Sequence, residues 1–127
     1  MNGIDAAEDW LDAWVGQTNA QAARSVELSR RVAALTSTAE GRDGAIRVTV
    51  GSAGQVERLE LNERVHELAG PRLAEGIMAV IRRAQAALSR RVAEDVQDTV
   101  GADTETGRAV IRSFDTRFPP AEREDDR

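Results

Sequence analysis

Arginines are the residues of this chain whose type and spacing most clearly indicate chemistry. All 17 basic residues are arginine. Two groups fall on predicted helices, each with a pair seven residues apart and its neighbours: Arg24, Arg30 and Arg31 on the first helix, and Arg82, Arg83, Arg90 and Arg91 on the second. Residues seven apart share a helical face. Because guanidinium groups bind phosphates well, these clusters are candidate contacts to a DNA backbone.

The alternative interpretation is that each cluster is a solvated helix face, with Glu27 and Glu94 as local counter-charges. The formal net charge of −5 opposes a broad attraction to nucleic acid. The charge is uneven, however, because residues 24–91 hold 12 arginines against 8 acidic residues, a balance of +4. On the residues alone we favour the solvated face.

Residues that could support catalysis are few. His66 is the only histidine and there is no cysteine, so Glu63 and Glu67 are the only candidate partners nearby. A surface or capping histidine is the more ordinary role. The segment 51–54, Gly-Ser-Ala-Gly, is too short for a phosphate loop and has no following lysine. We therefore expect no enzyme activity, no cofactor and no metal site.

The elements that must position the arginines are two long helices around a small sheet. Ile46, Val48 and Val50 alternate with polar residues, as in a half-buried strand. The glycines of segment 51–54 suit a turn, and the chain returns as a strand that ends at Leu61. Residues 35–40 are predicted to form an edge strand, followed by a turn at residues 41–44. The fold class is therefore α+β with a three-stranded antiparallel β-meander.

The third strand carries a mismatch in its pattern. Leu59 and Leu61 share a face with Glu57, whereas Val56 is out of phase. A β-bulge near Glu57 and Arg58 would reconcile the two; otherwise Val56 points to the other face of the sheet. A small sheet also leaves an apolar face and unpaired edges. Self-association would cover both, and its candidate residues are the apolar strand positions Ile46, Val48, Val50, Leu59 and Leu61.

The first helix is predicted from about Asp5 to Ala33, and its apolar stripe is interrupted by Thr18, Gln21 and Ser25. A helix of this length with a polar middle cannot bury itself fully in a chain of 127 residues. One end must project or meet a partner. Its candidate interface residues are the apolar side chains Trp10, Leu11, Trp14 and Val15. The second helix is predicted to begin after Gly70 and Pro71 and to cover the sheet.

We expect one domain over residues 1–100 and a flexible acidic tail over residues 101–127, in which residues 109–114 dock transiently. The chain shows no signal peptide and no apolar run of membrane-spanning length, so a cytoplasmic protein without membrane contact is expected.

The order of helix, three-stranded meander and helix resembles the YbaB/EbfC nucleoid-associated proteins, in a divergent form common in actinobacteria. The resemblance rests on four segments and spans about residues 5–98: Leu35-Thr-Ser-Thr-Ala-Glu40, Asp43-Gly-Ala-Ile-Arg-Val-Thr-Val50, Gly54-Gln-Val-Glu-Arg-Leu-Glu-Leu61, and the helix from Leu73 to Ala87. It implies a homodimer with projecting long helices. It also implies DNA binding with little sequence specificity, in nucleoid organisation or gene regulation.

Some actinobacterial members of the family that the chain resembles are associated with type VII secretion loci. The alternative function is therefore a protein-interaction or accessory module without DNA binding, in which the tryptophan-bearing helix accepts a protein partner. The acidic start of the first helix departs from a basic DNA binder. Sequence patterns leave both functions open.

Overall fold

The computed structural model describes residues 3–119 and confirms the predicted α+β order. The main elements are helix α1 (Gly3–Ala33), strands β1 (Ser37–Gly41), β2 (Ile46–Val50) and β3 (Val56–Leu61), and helices α2 (Gly70–Asp98) and α3 (Glu105–Arg117). A short 3-10 helix, Glu63–Glu67, leads into α2. The last part of the predicted acidic tail, residues 120–127, lies outside the described residues.

The sheet is an antiparallel meander in the order β1-β2-β3. Its register contains the predicted bulge, because Thr49 pairs with Arg58 and Val50 pairs with Val56, which leaves Glu57 without a partner on β2. The extra residue restores the phase of β3. As a result its apolar side chains face the same side of the sheet as those of β2.

One core lies between this side of the sheet and the first half of α2. Ile46, Val48 and Val50 are fully buried there against Val80 and Ala84. These three strand residues, candidates for an interface on the sequence pattern, therefore pack inside the chain. Because α2 lies over β1 and β2, it leaves the apolar side chains of β3 half-exposed.

A second core joins the end of α1, the second half of α2, and α3. Its buried residues are Leu28, Leu35, Leu88, Val92, Val96 and Phe114. At this end α1 runs antiparallel to α2, since Arg31 lies beside Asp95 and Asp98 whereas Thr36, just after α1, contacts the earlier Arg91. All described α1 side chains from Ala6 to Val26 are exposed. The first part of α1 therefore projects past the end of α2.

Helix α3 corrects the prediction of an irregular segment after Val100. The Thr104 hydroxyl caps it by accepting a hydrogen bond from the Gly107 backbone N–H, 3.0 Å away. Gly107 permits a close approach, because a Cβ there would overlap the carbonyl oxygen of Gly101. Phe114 is buried against α2. This helix was hard to predict because its first turn contains Thr106 and Gly107, which disfavour helix.

Candidate nucleic-acid interface

Two of the predicted phosphate contacts on α1 are already paired with a carboxylate. Arg30 Nε donates to Glu27 Oε1 at 3.1 Å, and Arg31 Nε donates to Glu27 Oε2 at 3.0 Å. The hydrogen bond from Arg30, followed by that from Arg31, holds the pKa of Glu27 below its ordinary value of 4.5. The same bonds raise the pKa of both arginines.

Arg31 is further compensated by the end of α2. Its Nη1 lies 3.8 Å from Asp95 Oδ1 and 3.7 Å from Asp98 Oδ2. Three carboxylates thus surround one guanidinium group. Arg31 joins α1 to α2, and its charge is balanced within the chain. A phosphate would have to compete with these carboxylates.

Two of the predicted contacts on α2 are engaged with the backbone of the β1 region. Arg83 donates to the carbonyl oxygen of Glu40, and Arg91 donates to that of Thr36. Carbonyl acceptors leave the positive charge uncompensated, but they fix the direction of each side chain. These arginines position β1 against α2. Both remain exposed, so their charge still contributes to the local field.

Arg24, Arg82 and Arg90 are exposed, and within residues 3–119 no hydrogen bond or ion pair engages their side chains. Glu94, the expected counter-charge of Arg90, makes no ion pair with it. Arg82 and Arg90 are eight residues apart, about 12 Å along the axis of α2. Of the seven candidate arginines, these three therefore have guanidinium groups that are available to bind an external anion.

Arg72 is a further candidate that the seven-residue spacing does not single out. It is exposed near the start of α2, and within the described part of the chain its side chain has no partner. It precedes Arg90 by 18 residues, which is five complete helical turns, so the two lie on one line of the helix. That longer spacing is the signal that would have found it.

The arginines on the outer face of the sheet differ, because acidic neighbours pair with them. Arg47 lies 3.4 Å from Glu40 and 3.9 Å from Glu60, and Arg58 lies 3.6 Å from Glu60. These cross-strand and same-strand pairs balance the charge of this face. It is therefore a poor site for a phosphate.

The other candidates from the sequence are dispersed. His66 is exposed on the 3-10 helix, and within residues 3–119 no cluster of three or more acidic, histidine or cysteine side chains has the arrangement of a metal site. Trp10, Leu11 and Trp14 are exposed on the projecting part of α1, distant in sequence from the arginines of α2. In the same described range, no helix has the length and apolar character needed to cross a membrane.

Comparison with known proteins confirms the family resemblance that the sequence indicated. Residues 9–103 match the sequence profile of the YbaB/EbfC DNA-binding family. A search of curated proteins finds no match. The matched range spans most of the chain and includes most of α1, the sheet and all of α2. The chain belongs to the YbaB/EbfC DNA-binding family.

Proposed function

We propose that this protein is a homodimer that binds DNA with little sequence specificity and acts at the nucleoid, in its organisation or in gene regulation. The observation that carries the proposal concerns Arg82 and Arg90 on α2 of a DNA-binding family member: both are exposed, and no described residue pairs with their side chains. Such side chains bind phosphates through charge-assisted hydrogen bonds. Phosphate contacts hold a duplex without reading its sequence.

The line of arginines on α2 supports backbone binding. Arg72 and Arg90 lie on one line of the helix, whereas Arg82 lies between them along the axis but about 80° away around it. Arg83 is close to the same line, although its guanidinium group contacts the carbonyl of Glu40. Most acidic residues of the chain lie in its flanks, so this middle segment is the part with positive charge in excess.

The dimer is proposed to form through β3. In the described part of the chain, β3 pairs only with β2, so its second edge is open. Its inward side chains Val56, Leu59 and Leu61 are 45%, 45% and 42% exposed, and Met78 of the neighbouring α2 is 51% exposed. Pairing of β3 with its copy across a two-fold axis would satisfy the open backbone edge and bury these side chains.

The DNA proposal is tested by fluorescence anisotropy on a random duplex at several salt concentrations. We expect affinity to fall log-linearly with salt, by about 0.9 in slope for each phosphate contact. The double variant Arg82→Ala/Arg90→Ala should bind more weakly and with a smaller slope. Its matched control is Arg47→Ala/Arg58→Ala, which removes the same charge from the paired outer face of the sheet.

If the two double variants lose the same affinity, only net charge matters and the assignment to α2 is wrong. If the wild-type protein ignores DNA at low salt, the DNA-binding proposal itself fails. The dimer is tested separately by light scattering. Leu59→Glu should give a monomer, whereas Val26→Glu, at an exposed position on α1, should not change the mass. A dimer that persists in Leu59→Glu would contradict the β3 interface.

A further inference from the structure

The projecting part of α1 carries an apolar face that no described residue of the chain covers. Trp10, Leu11, Trp14 and Val15 are 65%, 49%, 54% and 47% exposed. They recur at the spacing of three and four residues that gathers side chains on one face of a helix. Four large apolar side chains side by side on one exposed face form a patch of the kind that marks an interaction site.

This face continues an interface that already exists inside the chain. Trp10 precedes Leu28 by 18 residues, and Trp14 precedes Val32 by the same number, so each pair is separated by five complete turns. Leu28 and Val32 pack into the core with α2. The tryptophans therefore occupy the same line of α1. Within the described part of the chain they have no partner, because α2 ends at Asp98, opposite the region around Arg31.

Charge indicates what kind of partner this face accepts. Residues 1–23 contain four acidic residues and no arginine. Glu8 and Asp12 are four residues apart and form a row along one border of the apolar face, beside Leu11 and Val15. Pairing of this segment with its own copy would bring together four carboxylates from each chain. Nucleic acid would be repelled for the same reason.

We propose that this face of α1, formed by Trp10, Leu11, Trp14 and Val15, binds a basic amphipathic helix of another protein. The partner's apolar side chains pack between the tryptophans, in the manner of a helix laid on an apolar surface. Its Lys or Arg residues lie beside Glu8 and Asp12, which set its orientation. The two tryptophans are the expected energetic centre. This site is separate from the arginines of α2, so it can operate whether or not DNA is bound.

The chain contains its own reporter for this test, because Trp10 and Trp14 are its only tryptophans and it has no tyrosine. The probe is a synthetic amphipathic peptide of about 18 residues, or five helical turns, with leucines on one face and lysines elsewhere. The matched probe has glutamates in place of the lysines. Added to the full-length protein, the lysine peptide should give a saturable blue shift of tryptophan emission. The glutamate peptide should give none.

Two variants preserve both tryptophans and test the face and its border separately. Leu11→Ser/Val15→Ser should weaken binding of the lysine peptide about tenfold or more, which corresponds to about 1.4 kcal/mol. Glu8→Arg/Asp12→Arg should reverse the preference toward the glutamate peptide. Val26→Ser, which changes an exposed apolar side chain elsewhere on α1, should bind as the wild type does.

Three results would overturn the proposal. The first is an equal shift with both peptides, and the second is unchanged binding in Leu11→Ser/Val15→Ser. The third is emission that is already blue-shifted without peptide and moves to the red on dilution, because a second copy of the chain would then cover the face. DNA binding by Leu11→Ser/Val15→Ser, which leaves the net charge unchanged, should stay at the wild-type level, which separates this site from the proposed DNA surface.

Discussion

Ser89 of α2 donates a hydrogen bond from its hydroxyl to the carbonyl oxygen of Phe118, 2.9 Å away, and so ties the end of α3 to α2. The same hydroxyl lies 3.2 Å from the carbonyl oxygen of Phe114. The match to the family ends at residue 103, before α3 begins. Ser89 therefore connects the part of the chain that matches the family to a helix that follows it.

Helix α3 should contribute strongly to stability through Phe114. Replacing this buried side chain with alanine removes it from the core that it shares with Leu28, Val92 and Val96 and leaves a cavity. We expect Phe114→Ala to lower the free energy of unfolding by about 3–5 kcal/mol. Urea denaturation followed by circular dichroism measures this change. Thr116→Ala, at an exposed position of the same helix, should stay close to the wild type.

The pairing of Glu27 with Arg30 and Arg31 should make stability depend on pH. The folded-state pKa of Glu27 is lowered from 4.5, so its stabilising contribution is complete above that value and is lost as the pH falls through the lowered pKa. We expect Tm to fall with pH in the acid range, and to fall less in Glu27→Gln. Glu63→Gln serves as the control, since Glu63 makes no ion pair within residues 3–119. If Glu63→Gln reduces the pH dependence of Tm as much as Glu27→Gln does, the pairing of Glu27 with the arginines is not the cause of that dependence.

Glu27 should also restrain DNA binding, because it occupies Arg30 and Arg31. Glu27→Gln releases Arg30 fully, whereas Arg31 keeps its two aspartates on α2. We expect tighter DNA binding at low salt and a salt slope larger by up to about 0.9 for each new phosphate contact. Anisotropy titrations against Glu63→Gln, which changes net charge equally, distinguish a local effect from a general one. Equal gains in both variants would mean that Arg30 is not involved.

In the turn between β1 and β2, glycine at position 43 should be more stabilising than the native Asp43. Asp43 has a φ of +57°, in the left-handed region that disfavours side chains, and its side chain is 94% exposed. We expect Asp43→Gly to raise the free energy of unfolding by about 0.5–1 kcal/mol, as measured in urea. The same replacement at Glu60, in regular strand geometry on β3, should lower it. A loss at Asp43 would show that its weak contact with Arg64 matters more than the backbone.

Much of the fold is determined by local patterns in the sequence. The alternation of Ile46, Val48 and Val50 defines β2, and the phase error of Val56 locates the bulge at Glu57. These patterns succeed because a strand has a period of two residues and one face must be buried. The long helices follow from apolar spacing in the same way. Helix α3 was missed because a helix of 13 residues draws most of its stability from packing.

The arginine clusters show what a local pattern cannot determine. Spacing places Arg82, Arg83, Arg90 and Arg91 together on α2, and only Arg82 and Arg90 are without a partner in the described chain. Arg83 and Arg91 contact carbonyl groups near β1, which are distant in sequence and close in space. A guanidinium group reaches several ångströms from its own backbone. Its availability therefore depends on what the fold brings within that reach.

The sequence by itself determined the α+β order, the three strands of the meander, the placement of positive charge in the middle of the chain and the resemblance to a DNA-binding family. The tertiary structure decided which arginines are available, which strand has an open apolar edge and how far α1 extends without a partner. The physical reason is the separation along the chain over which each effect acts. Backbone preference and side-chain periodicity act between near neighbours, whereas burial and charge pairing depend on contacts between residues far apart in the chain.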